Sequence, residues 1–129
     1  CIYSLGNAVS NQRTGAAEIF PRGYTEDGVI FTVTFEKYSD GTVYLAGADA
    51  LPTWVYKFTN ENKKLEYNIL PLDKQVENWK TRFDMTDSAL VNAEASYDRT
   101  MAIVGEGMET VESYLKENIQ AVEKALGVK

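Results

Sequence analysis

The chain has 129 residues, 44% of them hydrophobic and 25% charged, which fits a globular protein with one domain and a modest core. Its formal net charge of −6 excludes the basic stripe that nucleic acid requires and disfavours a broad grip on an anionic polymer. With no histidine and one cysteine, it can form neither a Ser-His-Asp nor a Cys-His centre, and no internal disulfide. No apolar run reaches the roughly 20 residues of a membrane helix.

Residues 2–5 (Ile-Tyr-Ser-Leu) read as a short apolar strand running into a Gly6-Asn7 turn, with Asn11, Gln12 and Arg13 just beyond. Such a turn aims polar groups into a site. The Asn7 amide can donate to a substrate oxygen, or it can bond its own backbone, and Gln12 carries the same two readings. Arg13 and Arg22 flank one loop and form either a local anion patch or two solvated charges. A core strand with no lead-in reads as the cut edge of a larger protein. Its unpaired edge, or the helices further on, would then favour a homodimer. Cys1 is either a buried strand residue or a lipid-modified first residue of a surface lipoprotein.

Residues 14–27 read as a loop punctuated by Gly15, Pro21 and Gly23. Within it, Glu26 is a candidate for substrate binding. Glu26 and Asp27 are neighbours, so on a strand they would point to opposite faces. One could orient the Asn7 turn while the other stays in solvent. Residues 28–38 alternate, with Val29, Phe31, Val33 and Phe35 on one face, and predict a strand with one well-buried face. Asp40-Gly41 predicts a hairpin turn and residues 42–50 its return strand. Pro52 separates this hairpin from a second one, built from residues 53–59 and 65–70. Trp54, Tyr56 and Phe58 are core aromatics or, as the less common alternative, a ligand platform.

Residues 1–72 are thus mostly strand and loop, and 73–129 mostly helical, within one domain. Val76 and Trp79 mark a short helix in residues 73–83. From Asp87 onward, Leu90, Ala93, Tyr97, Met101 and Val104 form one apolar stripe, which Thr86 or Asp87 can cap. Gly105 and Gly107 interrupt it. A second stripe runs through Met108, Val111, Leu115, Ile119, Val122 and Leu126, with Gly127 suited to the helix end. The fold class is therefore α+β: an antiparallel sheet of two hairpins plus an N-terminal strand, with C-terminal helices on one face.

Four segments carry a family resemblance. Tyr3-Ser4-Leu5-Gly6-Asn7, followed by Val9 and Gln12, resembles the signature of CapA-type poly-gamma-glutamate capsule synthesis proteins. Thr25-Glu26-Asp27-Gly28-Val29, Pro52-Thr53-Trp54-Val55 and Ile69-Leu70-Pro71-Leu72 fit the same family in order. Ala8 departs from it, standing where the family has an aromatic. The resemblance implies the C-terminal portion of a metallophosphatase-like fold. The family's metal motifs lie upstream of the Tyr-Ser-Leu-Gly-Asn strand. It follows that this chain alone has no cofactor and no catalytic residue, while the longer protein can hold a divalent metal. The implied partners are the upstream half and the capsule synthesis machinery. The implied location is the outer face of the bacterial membrane, reached through an upstream anchor. The competing reading is a non-catalytic surface domain that binds a protein or polymer.

Overall fold

The structure, a computed structural model, describes residues 25–126. The element order is β1 (Asp27–Lys37), β2 (Val43–Thr59), β3 (Leu65–Pro71), α1 (Val76–Arg82) and α2 (Asp87–Leu126). The strands form an antiparallel meander, β1-β2-β3, and the helices follow it, an α+β arrangement. The strand expected at residues 2–5 and the helix end expected at Gly127 lie outside the described residues.

Both turns form where the polar residues demand. At the first, Gly41 takes φ +90°, a conformation that glycine adopts without steric cost. The Asp40 carboxylate accepts from Thr42 N at 2.8 Å, and Tyr38 N donates to Thr42 O at 2.9 Å. At the second, Asn60 Oδ1 accepts from Lys64 N at 3.0 Å while Lys63 enters the left-handed region at φ 59°.

The two expected hairpins share one strand. β2 runs unbroken for 17 residues, through Pro52. Proline is disfavoured in a central strand because it lacks an N–H. Here the register places it beside the end of β3, where Leu72 N donates to Pro52 O at 2.9 Å. The missing donor therefore falls on the last rung of the ladder and interrupts nothing. Further along, Thr34 pairs with Gly47 but Phe35 with Leu45, leaving Ala46 as the extra residue of a bulge.

The helical third also corrects an expectation. Gly105 and Gly107 do not divide it: α2 is one helix of 40 residues. Its two apolar stripes join into a single row, Tyr97, Met101, Val104, Met108, Val111, Leu115 and Val122, all half-buried. The row follows alternating steps of four and three up to Leu115, and one heptad then separates Leu115 from Val122. Continuous support along this row offsets the roughly 1 kcal/mol that each glycine costs. Thr86 caps the start, with Ala89 N donating to Thr86 Oγ1 at 3.2 Å.

The core lies at one end of the sheet. Trp54, Tyr56, Leu70, Leu72, Trp79, Met85, Ala89 and Ala93 are buried together. Trp54, Tyr56 and Phe58 stack along β2 at 5.5 and 5.1 Å between ring centroids, so these aromatics are core. The opposite end is thinner. Val33 and Phe35, expected on a well-buried face, are 40% and 64% exposed. Among the described residues only one long helix accompanies the hairpin outward, and it packs chiefly on β2 rather than β1.

Asp73 fastens α1. Its carboxylate accepts from Trp79 Nε1 and Gln75 N, each at 3.1 Å, and pairs with Arg82. The hydrogen bonds from Arg82 and Trp79 hold the Asp73 carboxyl below its ordinary value of 3.8. A lowered carboxyl contributes stability above its unfolded pKa and loses it as pH falls through the folded one. Asp73→Asn is therefore expected to flatten the loss of stability below about pH 4, as measured by urea unfolding across an acid series.

A Cβ added at Gly105 or Gly107 meets nothing within 4 Å. Alanine there is expected to stabilise the chain by about 0.5–1 kcal/mol per site, read as a rise in the urea midpoint. Alanine at Gly41, with its positive φ, is expected to lower it.

Candidate functional site

The most concentrated buried polar chemistry among the described residues sits where β1 begins. Glu26 and Asp27 are 8% and 9% exposed, Ser96 is buried against Asp27, and Thr53 and Thr100 are also buried. Glu26 Oε2 accepts from Trp54 Nε1 at 3.0 Å, and the Glu26 carbonyl accepts from Val55 N at 3.0 Å. Asp27 turns to α2. Its Oδ1 accepts from Ser96 Oγ at 2.6 Å and from Arg99 Nη2 at 2.8 Å, and its Oδ2 from Arg99 Nε at 2.8 Å. This is a bidentate guanidinium–carboxylate pair with a hydroxyl added, the strongest kind of side-chain hydrogen bonding available to neutral-pH protein.

Neither acid stays in solvent, and the expected division between faces fails. Glu26 precedes the strand, so the period-two alternation does not yet govern it. Trp54 is the cross-strand partner of Asp27 and shares its face, and the indole reaches back to Glu26. Both carboxylates therefore serve the side of the sheet that α2 covers.

Local sequence explains why α2 can come so close. Ala89, Ala93, Ser96 and Thr100, at steps of four, three and four, are its most buried residues. They form a stripe one position away from the apolar row. Small side chains bring the helix axis near the sheet, and Ser96 meets Asp27 within that narrow gap. One turn beyond, the Thr100 hydroxyl is buried and has no hydrogen-bond partner among the described residues. Such a group normally costs about 1–3 kcal/mol.

Chemically, the arrangement binds two elements together and does not generate a nucleophile. Ser96 donates to a carboxylate already held by a guanidinium, and no imidazole exists to take its proton. Among the described residues, no group of three or more His, Cys, Asp or Glu could hold a metal ion. No helix among them is long and apolar enough to cross a membrane.

Of the candidate binding residues, Glu26 is placed as described. Asn7, Gln12 and Arg13 lie outside the described residues. The reading of the sequence missed Asp27, Ser96 and Arg99. Asp27 was weighed as a residue that orients the Asn7 turn or stays in solvent, and Ser96 and Arg99 were not singled out. The signal that could have found them is the Ser96–Arg99 spacing of three, which puts a hydroxyl and a guanidinium on one helix face beside the alanine stripe.

No protein-family model matches the chain, and searches of curated proteins and of solved structures return no match.

Two variants separate the parts of this cluster. Arg99→Ala leaves a buried carboxylate without its main partner and is expected to destabilise by about 3 kcal/mol. Thr100→Val keeps the shape and removes an unpartnered hydroxyl, so it is expected to be neutral or stabilising by about 1 kcal/mol. Urea unfolding of both checks the assignment. A large loss from Thr100→Val would mean that its hydroxyl is bonded.

Proposed function

We propose that this chain is the C-terminal part of a CapA-like protein of poly-gamma-glutamate capsule synthesis or export. By itself it is catalytically silent. Metal-dependent, phosphatase-like chemistry, if the longer protein performs it, belongs to the upstream half, which supplies the Asp, Asn and His ligands. That protein works at the outer face of the bacterial membrane with the capsule machinery and is anchored upstream.

One observation supports this reading above the rest. Three of the four segments that carry the resemblance, far apart in sequence, meet at one end of the sheet. Glu26 and Asp27 from the first engage Trp54 from the second by a side-chain bond and by cross-strand pairing. Trp54 in turn pairs with Leu70 from the third, and Leu72 N donates to Pro52 O. Short motifs that recur together for a functional reason are expected to be neighbours in space. In this reading Asn7, Gln12 and Arg13 contact polymer or the metal-bearing loops, and Glu26 fixes the end of the sheet against which they work.

The alternative, an accessory domain that binds a protein or polymer, draws on a different feature. Leu65, Tyr67 and Ile69 on β3 are 58%, 39% and 42% exposed, on the strand that ends the sheet among the described residues. Exposed apolar rows of this kind mark contact surfaces.

Asn7→Ala in the full-length protein tests the family reading. Capsule output is expected to fall while the melting temperature stays nearly unchanged. Normal output with a lowered melting temperature would return Asn7 to a turn residue, whose lost bond costs on the order of 1 kcal/mol.

A further inference from the structure

The far end of the α2–hairpin pair holds a cleft of about 300 Å³. Glu36, Tyr38 and Tyr44 line it from the hairpin, and Ile119, Val122 and Glu123 from α2. Positions 119, 122 and 123 share one helix face because residues three and four apart are neighbours there. Each wall thus carries a glutamate, and no lysine or arginine is among the described residues that line the cleft.

The tyrosines add a second feature. Their rings pack edge to face, with centroids 5.3 Å apart and an interplanar angle of 84°. In such a pair the ring that offers its edge keeps both of its own faces clear of its partner. The Tyr38 hydroxyl donates to Glu36 Oε2 at 3.2 Å, which helps fix that carboxylate. Desolvation, and then this hydrogen bond, pushes the Tyr38 phenol up from its ordinary value.

These features select one class of ligand. Two glutamates with no cation among the described lining residues call for positive charge. Phenol faces attract an ammonium head, and Ile119 and Val122 give an aliphatic stem a dry surface. The volume lies at the small end of ligand sites, suited to one such group. We infer that this cleft binds a primary alkylammonium, an amine head on a short aliphatic stem. The site is independent of the capsule reading. Its charge repels an anionic polymer, and it lies at the opposite end of the sheet from the Asp27 cluster.

Cadaverine, a five-carbon diamine, is the probe. Pentanediol carries the same stem without charge, and glutarate reverses the charge. Each is titrated into the full chain, followed by calorimetry and by the tyrosine ring resonances. Cadaverine alone is expected to bind saturably and to shift the rings of Tyr38 and Tyr44. Glu36→Gln with Glu123→Gln is expected to weaken it roughly a hundredfold, about tenfold per lost charge-assisted contact, with the thermal unfolding curve unchanged. Equal binding of pentanediol, equal affinity of the double variant, or no saturation overturns the assignment. Should the double variant fail to fold, the wild-type resonances decide. Shifts centred on Tyr38 and Tyr44 uphold the site, and shifts elsewhere overturn it.

Discussion

The Asp27–Arg99 pair is the constraint on which the rest of the chain depends. It joins residues 72 positions apart and fixes α2 to the first residue of β1. The pair is mostly withdrawn from water, with the Asp27 side chain 10% and the Arg99 side chain 26% exposed. Removing two charges from water is costly unless every lone pair finds a donor. Ser96 and the fork of Arg99 supply those donors, which makes the contact directional in a way that apolar packing is not. A helix held only by its alanine stripe could slide or rotate on the sheet. Three hydrogen bonds to one carboxylate fix both its rotation and its register.

That registration has a long reach. A 40-residue helix extends ~60 Å. The 17 residues of β2 extend ~56 Å. The two elements match in length and run antiparallel, since residues 96–99 of α2 meet Asp27 while residues 118–123 meet the hairpin tip. A rotation of α2 at Ser96 would carry Glu123 and Ile119 away from the tip as well. The strong core at one end thus positions weaker packing at the other, where Phe35 and Ile119 remain 64% and 47% exposed.

Much of this was legible from the residues, and what was not has physical reasons. Asp40-Gly41 and the polar run from Asn60 to Lys64 announced their turns because positive φ and side-chain-to-backbone bonding are local demands. Trp54, Tyr56 and Phe58 announced a buried strand face. Pro52 misled, because its effect depends on where the neighbouring strand ends, which local pattern does not reveal. Gly105 and Gly107 misled for a related reason. Helix propensity counts their cost, whereas the supporting row from Tyr97 to Val122 is a tertiary term. The Asp27 cluster was hidden most thoroughly. Its members are polar residues at unremarkable positions, and only the fold brings them together. Sequence pattern reads burial from apolarity, so a buried serine, threonine and aspartate register as surface.

Charge gives the two ends of the sheet different chemistry. At the core end the acids are spent internally: Asp27 on Arg99 and Ser96, and Glu26 on the Trp54 indole. Their charge or hydrogen-bonding capacity is largely committed, so that end presents less bare negative charge than its sequence implies. At the tip, Glu36 shares one phenol hydrogen bond and Glu123 lines the opposite wall of a cleft that has no cation among its described lining residues. Net charge counts these four carboxylates alike, whereas the pairing that the fold imposes separates them: those at the start of β1 hold elements together, and those at the tip face a cleft.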